Sequence, residues 1–234
     1  MTVLVHETPD ELASAVADRL AATLASAQAA NGTASVVLTG GRTGIAVLTA
    51  LRSATLDWSS LDIYWGDERF LPAGDPERNE TQARSALLDH VPVSPVRVHP
   101  MTPSDGEYGD DPDAAAEAYA VLLKDVPTFD VCLLGVGEEG HTASIFPHSP
   151  AVHETARTVV AVRDCPKPPP TRVSLTLPTI RRAAEVWLVT TGAAKADPVG
   201  AALAGANEVD IPAAGARGQR DTLWFLDKTA AERL

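Results

Sequence analysis

Cysteine is nearly absent from this chain: two occur in 234 residues, Cys132 inside an apolar run and Cys165 in a loop, neither with a CxxC partner. That argues against a disulfide framework or a thiol-rich metal site and fits a reduced, cytoplasmic protein. Long apolar runs are missing too, and nothing approaches the ~18 residues of a membrane span. The opening stretch, Met1 to Glu7, has neither the basic start nor the apolar centre of a secretion signal. Basic residues are scarce, 19 against 31 acidic, for a formal net charge of -12. Broad binding to nucleic acid or to an anionic membrane needs basic faces and is disfavoured. An anionic small molecule stays open to the chain if a few cations converge in one cleft.

What is present is ordinary for a globular protein: 45% apolar and 21% charged residues, enough to bury a core. The patterning predicts strands and helices in alternation. Val3–Val5 is a short strand, and Thr8-Pro9-Asp10-Glu11 is a capping box opening a helix that stops at Asn31-Gly32. Leu12, Val16, Leu20 and Leu24 form its buried stripe. Further strands are expected at 35–38, 61–65, 96–98, 129–134, 158–162, 172–177, 185–190 and 223–226, with a helix after the last. No repeat or shift in composition marks a boundary. The expectation is one α/β domain over residues 1–234, a mostly parallel twisted sheet with helices on both faces.

Chemistry-bearing residues fall at the C-terminal ends of four of these strands, where open α/β sheets place ligands. The run 35–38 feeds Thr39-Gly40-Gly41-Arg42-Thr43-Gly44 and a helix from Ile45. Strand, glycine turn and helix start present free N–H groups and a positive dipole end, a cradle for phosphate. The run 61–65 leads into Gly66-Asp67-Glu68-Arg69. Arg69 suits a phosphate bidentately, Asp67 suits a hydroxyl or a water, and a self-contained surface salt bridge is the bland alternative. Asn79 downstream is a helix cap by type. The third end, Gly135-Val136-Gly137-Glu138-Glu139-Gly140-His141, carries three glycines, two acids and a histidine able to exchange protons near neutrality. Taken alone it is equally a turn or an active site. The fourth, Thr191 to Lys195, puts a lysine at a helix start, against the dipole preference, which a bound anion would rationalise. Between them, the proline run 165–170 is a stiff spacer, and Arg172 to Leu177 alternates as a half-buried strand does.

With those motifs in that order, the chain resembles the 6-phosphogluconolactonases over nearly its whole length. These share a Rossmann-like fold with glucosamine-6-phosphate deaminases and ribose-5-phosphate isomerases. The resemblance implies hydrolysis of a phosphosugar lactone in the pentose phosphate pathway. His141 is then catalytic, with Glu139 and Asp67 assisting. Gly40, Gly41, Arg42, Thr43, Arg69, Asn79, Gly137, Arg172 and Lys195 are then substrate-binding. Two features depart from the family pattern: Arg42 and Gly44 stand in a loop that usually reads Gly-Gly-Ser-Thr-Pro, and Glu139 stands where an aspartate is usual. The implied mechanism needs a water activated by His141 and an oxyanion held by N–H groups around Gly137 to Gly140. No cofactor and no metal is required. The dehydrogenase that produces the lactone is the one protein partner the resemblance brings into view.

Two rival readings come with it. Deaminases carry a glutamate five residues after the histidine, and here that position is Phe146. Non-catalytic phosphosugar sensors carry an N-terminal helix-turn-helix, whereas here strand signals are expected from Val3 and the net charge is wrong for DNA.

Overall fold

The computed structural model describes all 234 residues. Six strands form a parallel sheet in the order β1-β9-β8-β5-β2-β3. They are β1 (Thr2–His6), β2 (Ala34–Leu38), β3 (Leu61–Trp65), β5 (Val131–Leu134), β8 (Glu185–Thr190) and β9 (Asp221–Asp227). The remaining three, β4 (Asp67–Arg69), β6 (Val159–Val162) and β7 (Arg172–Leu175), form a small antiparallel sheet, order β4-β7-β6. No helix is long and apolar enough to cross a membrane.

Alternate residues of the large sheet enter two separate cores, which explains the near-continuous apolar runs. Val36, Leu38, Ile63, Trp65, Leu133 and Trp187 pack with α1 (Pro9–Asn31), α2 (Gly41–Leu51) and α3 (Asn79–Ala86). Val37, Tyr64, Cys132, Leu134, Leu188 and Trp224 pack on the opposite face. There α4 (Pro112–Leu122), α6 (Ala196–Leu203) and the small sheet cover them, joined by two four-residue helices, α5 (Leu177–Ile180) and α7 (Pro212–Gly215). Local signals act as expected on α1: Thr8 accepts the Glu11 N–H at 3.2 Å, and Gly32 closes the helix at φ +82°.

Three expectations are corrected. Residues 96–98 are not a strand: Pro95–Arg97 is a 3₁₀ turn, and Val98 makes a single bridge to Ile63, because the N–H groups of Arg97 and Val98 bond back to the Ser94 and Pro95 carbonyls instead of to a ladder. No helix follows β9. Asp227 instead accepts the N–H groups of Gly192 and Ala230 (3.0 and 2.9 Å) and the Thr229 hydroxyl (2.8 Å), pinning the chain in turns. And β7 is buried along its whole length rather than half-buried, since its polar side faces other polar groups: the Ser144 N–H donates to Ser174 Oγ at 3.2 Å.

The neighbours β8, β5, β2 and β3 end side by side. The chain steps outward from β2 to β3 and then crosses back to β5, so the order reverses between β2 and β5. A crevice outside the carboxyl ends is the consequence.

Candidate active site

That crevice is a cleft of about 180 Å³ walled by Gly40, Gly41, Asp67, Arg69, Asn79, Gly137, His141, Arg172 and Lys195. A second lobe of about 190 Å³ shares Gly40, Gly41 and Lys195 and adds Arg42 and Thr43. Eleven of the twelve residues expected at the site thus line one continuous depression; Glu139 stands behind it.

The glycine loop is shorter than expected. Helix α2 starts at Gly41 rather than Ile45, because Gly40 and Gly41 complete the turn alone, Gly41 at φ +79°. Arg42 and Thr43 therefore sit in the first helical turn. That turn has no acidic residue and no side-chain cap, which leaves its first N–H groups uncapped where Gly41, Arg42 and Thr43 line the cleft. Thr43 Oγ1 lies 2.8 Å from Thr191 Oγ1, tying the helix start to the end of β8. Gly44 lies in the same turn, and a Cβ there would come within 2.6 Å of the Thr39 carbonyl oxygen.

On β4 the three charges have three different fates. Arg69 donates through Nη1 to the Glu77 carbonyl and keeps a buried Nε with no protein partner. Asp67 is buried in the cleft wall, accepting from the Ser144 hydroxyl at 2.7 Å and lying 3.9 Å from Arg172 Nη1. Glu68 points away from the cleft and accepts the N–H groups of Arg69, Asn79 and Glu80 at 2.7, 2.6 and 2.9 Å. It is Glu68 that caps α3, a role expected of Asn79. Asn79 is the first residue of that helix, and its Nδ2 donates to the Asp67 carbonyl at 2.8 Å. Its amide also presses on Gly40, where a Cβ would meet Oδ1 at 2.0 Å. The surface salt-bridge alternative for this triplet is thereby overturned: Asp67 and Glu68 are both buried.

Arg172 is clasped by the proline run. Its Nε donates to the Pro169 carbonyl at 2.8 Å, and Nη2 donates to those of Pro168 and Lys167 at 3.0 and 3.2 Å. Lys195 lies 3.7 Å from Glu138, and burial lowers its ammonium below the ordinary lysine range.

His141 packs edge-on against Gly137. A Cβ at Gly137 would sit 1.9 Å from His141 Nδ1, so this glycine is required by close approach. On its other side the ring meets Phe146, centroids 4.5 Å apart. Burial lowers the imidazole pKa from 6.5, against the pull of Glu139 in the other direction, which favours the neutral ring. Glu139 Oε1 is 3.0 Å from His141 Nδ1, an ion-pair distance without the alignment of a hydrogen bond. Its Oε2 is 3.0 Å from Lys167 Nζ. The oxyanion expectation is corrected in part: the Gly137 N–H donates to the His141 carbonyl at 2.8 Å and the Gly140 N–H to that of Gly137 at 3.0 Å, so both are already used.

Gly137→Ala is expected to displace the imidazole and lower kcat by roughly 100-fold, the scale of a ~1 Å misplacement. The melting temperature should change little; a variant with wild-type kcat would contradict the packing argument.

Residues 7–224 match the family model described as glucosamine-6-phosphate isomerases/6-phosphogluconolactonase. A 6-phosphogluconolactonase of Streptomyces coelicolor is 55% identical, the alignment covering 99% of this chain and 94% of that protein. One from Mycobacterium tuberculosis is 52% identical over 96% of this chain and 95% of its own. Among solved structures, the 6-phosphogluconolactonase of Trypanosoma brucei superposes with a TM-score of 0.88 at 32% identity, covering 100% of this chain and 98% of that one.

Proposed function

The chain belongs to the glucosamine-6-phosphate isomerase and 6-phosphogluconolactonase family, and from that premise we propose that it hydrolyses 6-phospho-D-glucono-1,5-lactone to 6-phosphogluconate. It is a hydrolase acting on a lactone ester. It works as one domain, in the cytoplasm, beside the dehydrogenase that supplies the lactone. The observation that carries the reading is geometric: a half-buried histidine, packed on Gly137, shares one cleft with Arg69, Arg172, Lys195 and the start of α2.

With Nδ1 turned toward Glu139, the Nε2 of His141 is the nitrogen left to take a proton from water. The water oxygen adds to the lactone carbonyl carbon and the carbonyl oxygen becomes an alkoxide. When that intermediate collapses, the bond to the ring oxygen breaks and His141 returns the proton to it. Gly137 and Gly140 have no N–H to spare, so the alkoxide falls to the cleft's cations. The phosphate is held by the first turn of α2 with Arg69 and Lys195, a handle that fixes the distance from His141 to the carbonyl. Asp67 and Asn79 act by holding β4 against the glycine loop.

The amino-sugar reaction fits less well. Phe146 occupies the position of the deaminase glutamate and covers one face of His141, so no carboxylate reaches a ring oxygen from there. The purified protein should open the lactone and release no ammonia from glucosamine-6-phosphate; the reverse result would replace this reading with deamination. Arg69→Ala should raise KM by roughly 10- to 100-fold, the worth of a charge-assisted hydrogen bond, with kcat nearly kept. Loss of kcat at unchanged KM would remove Arg69 from the phosphate.

A further inference from the structure

The proline run between β6 and β7 touches the site from behind at two points that the mechanism leaves unexplained. Its backbone carbonyls at Lys167, Pro168 and Pro169 hold the guanidinium of Arg172. Its one charged side chain reaches Glu139, whose other oxygen faces His141. Prolines fix their own φ and lack an N–H, so the segment is stiff. The carboxylate is therefore clamped between an ammonium and an imidazole, each 3.0 Å away. The three side chains are 40%, 32% and 19% exposed, which leaves the row only partly screened.

We propose that Lys167 is a positioning residue for the lactone hydrolysis, holding Glu139 in the one orientation that sets the imidazole of His141. The inference rests on the reading of His141 as the base. It also gives a reason for glutamate at position 139, where the family pattern has aspartate. The longer side chain places one oxygen on each partner, so the base and the Arg172 anion site are braced from a single loop.

The charges that bear on His141 come from three elements. Glu139 belongs to its own loop, Lys167 to the proline run, and Asp67 to β4; Arg172 and Lys195 line the same cleft. Glu139 and Asp67 favour the imidazolium and Lys167 opposes it. Neutralising Lys167 and neutralising Glu139 therefore push the acid limb of kcat/KM in opposite directions. A role confined to folding would not produce opposite signs.

The test is the pH profile of lactone hydrolysis for wild type, Lys167→Met, Lys167→Arg and Glu139→Gln. It is paired with NMR titration of the His141 ring, assigned by its loss in His141→Asn. Lys167→Met should lower neutral-pH kcat by roughly 10- to 100-fold, as a misplaced base does. KM should stay within about twofold, because Arg172 is held by backbone rather than by the ammonium. Its acid limb and the imidazole titration should both move to higher pH. Arginine at 167 should restore kcat and limb, and Glu139→Gln should move the limb lower. An unmoved limb and titration in both Lys167→Met and Glu139→Gln overturn the proposal. Should His141→Asn instead retain wild-type turnover, the assignment of the base is what fails.

Discussion

His141→Asn is expected to lose about 10²- to 10⁴-fold in kcat, the range for removing a positioned acid–base group. Asparagine keeps a polar side chain that packs beside Phe146 and Gly137 but cannot take a proton from water at neutral pH. KM should change little, because the phosphate contacts lie elsewhere in the cleft, and the melting temperature should stay close to wild type. Stopped assays at saturating lactone, corrected for spontaneous hydrolysis, measure the effect directly. A near-wild-type kcat would remove histidine from the chemistry. The pH dependence of the wild type has a fixed sign: burial disfavours the imidazolium, so the base stays free down to a pH below the ordinary 6.5. The profile of kcat/KM should therefore be level through neutrality and fall only on the acid side of that value.

Glu68→Ala is the substitution expected to cost most in stability, about 3–5 kcal/mol, because several buried donors are left without an acceptor at about 1–3 kcal/mol each. Three N–H groups, those of Arg69, Asn79 and Glu80, would lose their acceptor. Arg78, fully buried and 3.6 Å from Glu68, would lose one of its two carboxylate neighbours and keep Glu80 at 3.3 Å. Burial raises the Glu68 carboxyl from 4.5 to about 7, with Arg78 and the N–H donors opposing the rise. A native pKa above the unfolded one means a contribution complete below 4.5 and lost as pH climbs through about 7. The gap in unfolding free energy between wild type and variant should therefore be wider near pH ~5 than near pH ~8. Denaturant titrations at both pH values would reveal it, and a loss below ~1 kcal/mol would show that the N–H groups find water instead. Since the same carboxylate joins β4 to α3, activity should fall with stability.

Much of the site was legible because its residues sit at strand ends whose order the chain spells out. Each of the four motifs pairs a buried apolar run with a turn that breaks it, and parallel strands with crossover helices bring such ends to one edge. Residue type then indicated chemistry: a glycine turn before a helix, an arginine able to fork, a histidine beside an acid. Less legible was the division of labour inside a motif. Asp67, Glu68 and Arg69 are consecutive, yet one lines the cleft beside Ser144, one caps a helix and one donates to the Glu77 carbonyl from the cleft wall. Strand alternation separates neighbours onto opposite faces, but only the pairing of β4 with β7 fixes which face is which.

The sequence by itself determined whatever depends on groups within a turn or two of each other. The Thr8 cap and Gly32 stop of α1, the buried runs of β2, β5 and β8, and the turn at Gly40-Gly41 belong to that class. Tertiary structure alone decided the second sheet, in which Asp67 pairs with Ser174, the capping role of Glu68, and the reach of Lys167 to Glu139. The physical reason is range. Caps and periodicity act between near neighbours along the chain, whereas a charge takes its role from whichever distant element is folded against it and from how much water that contact excludes.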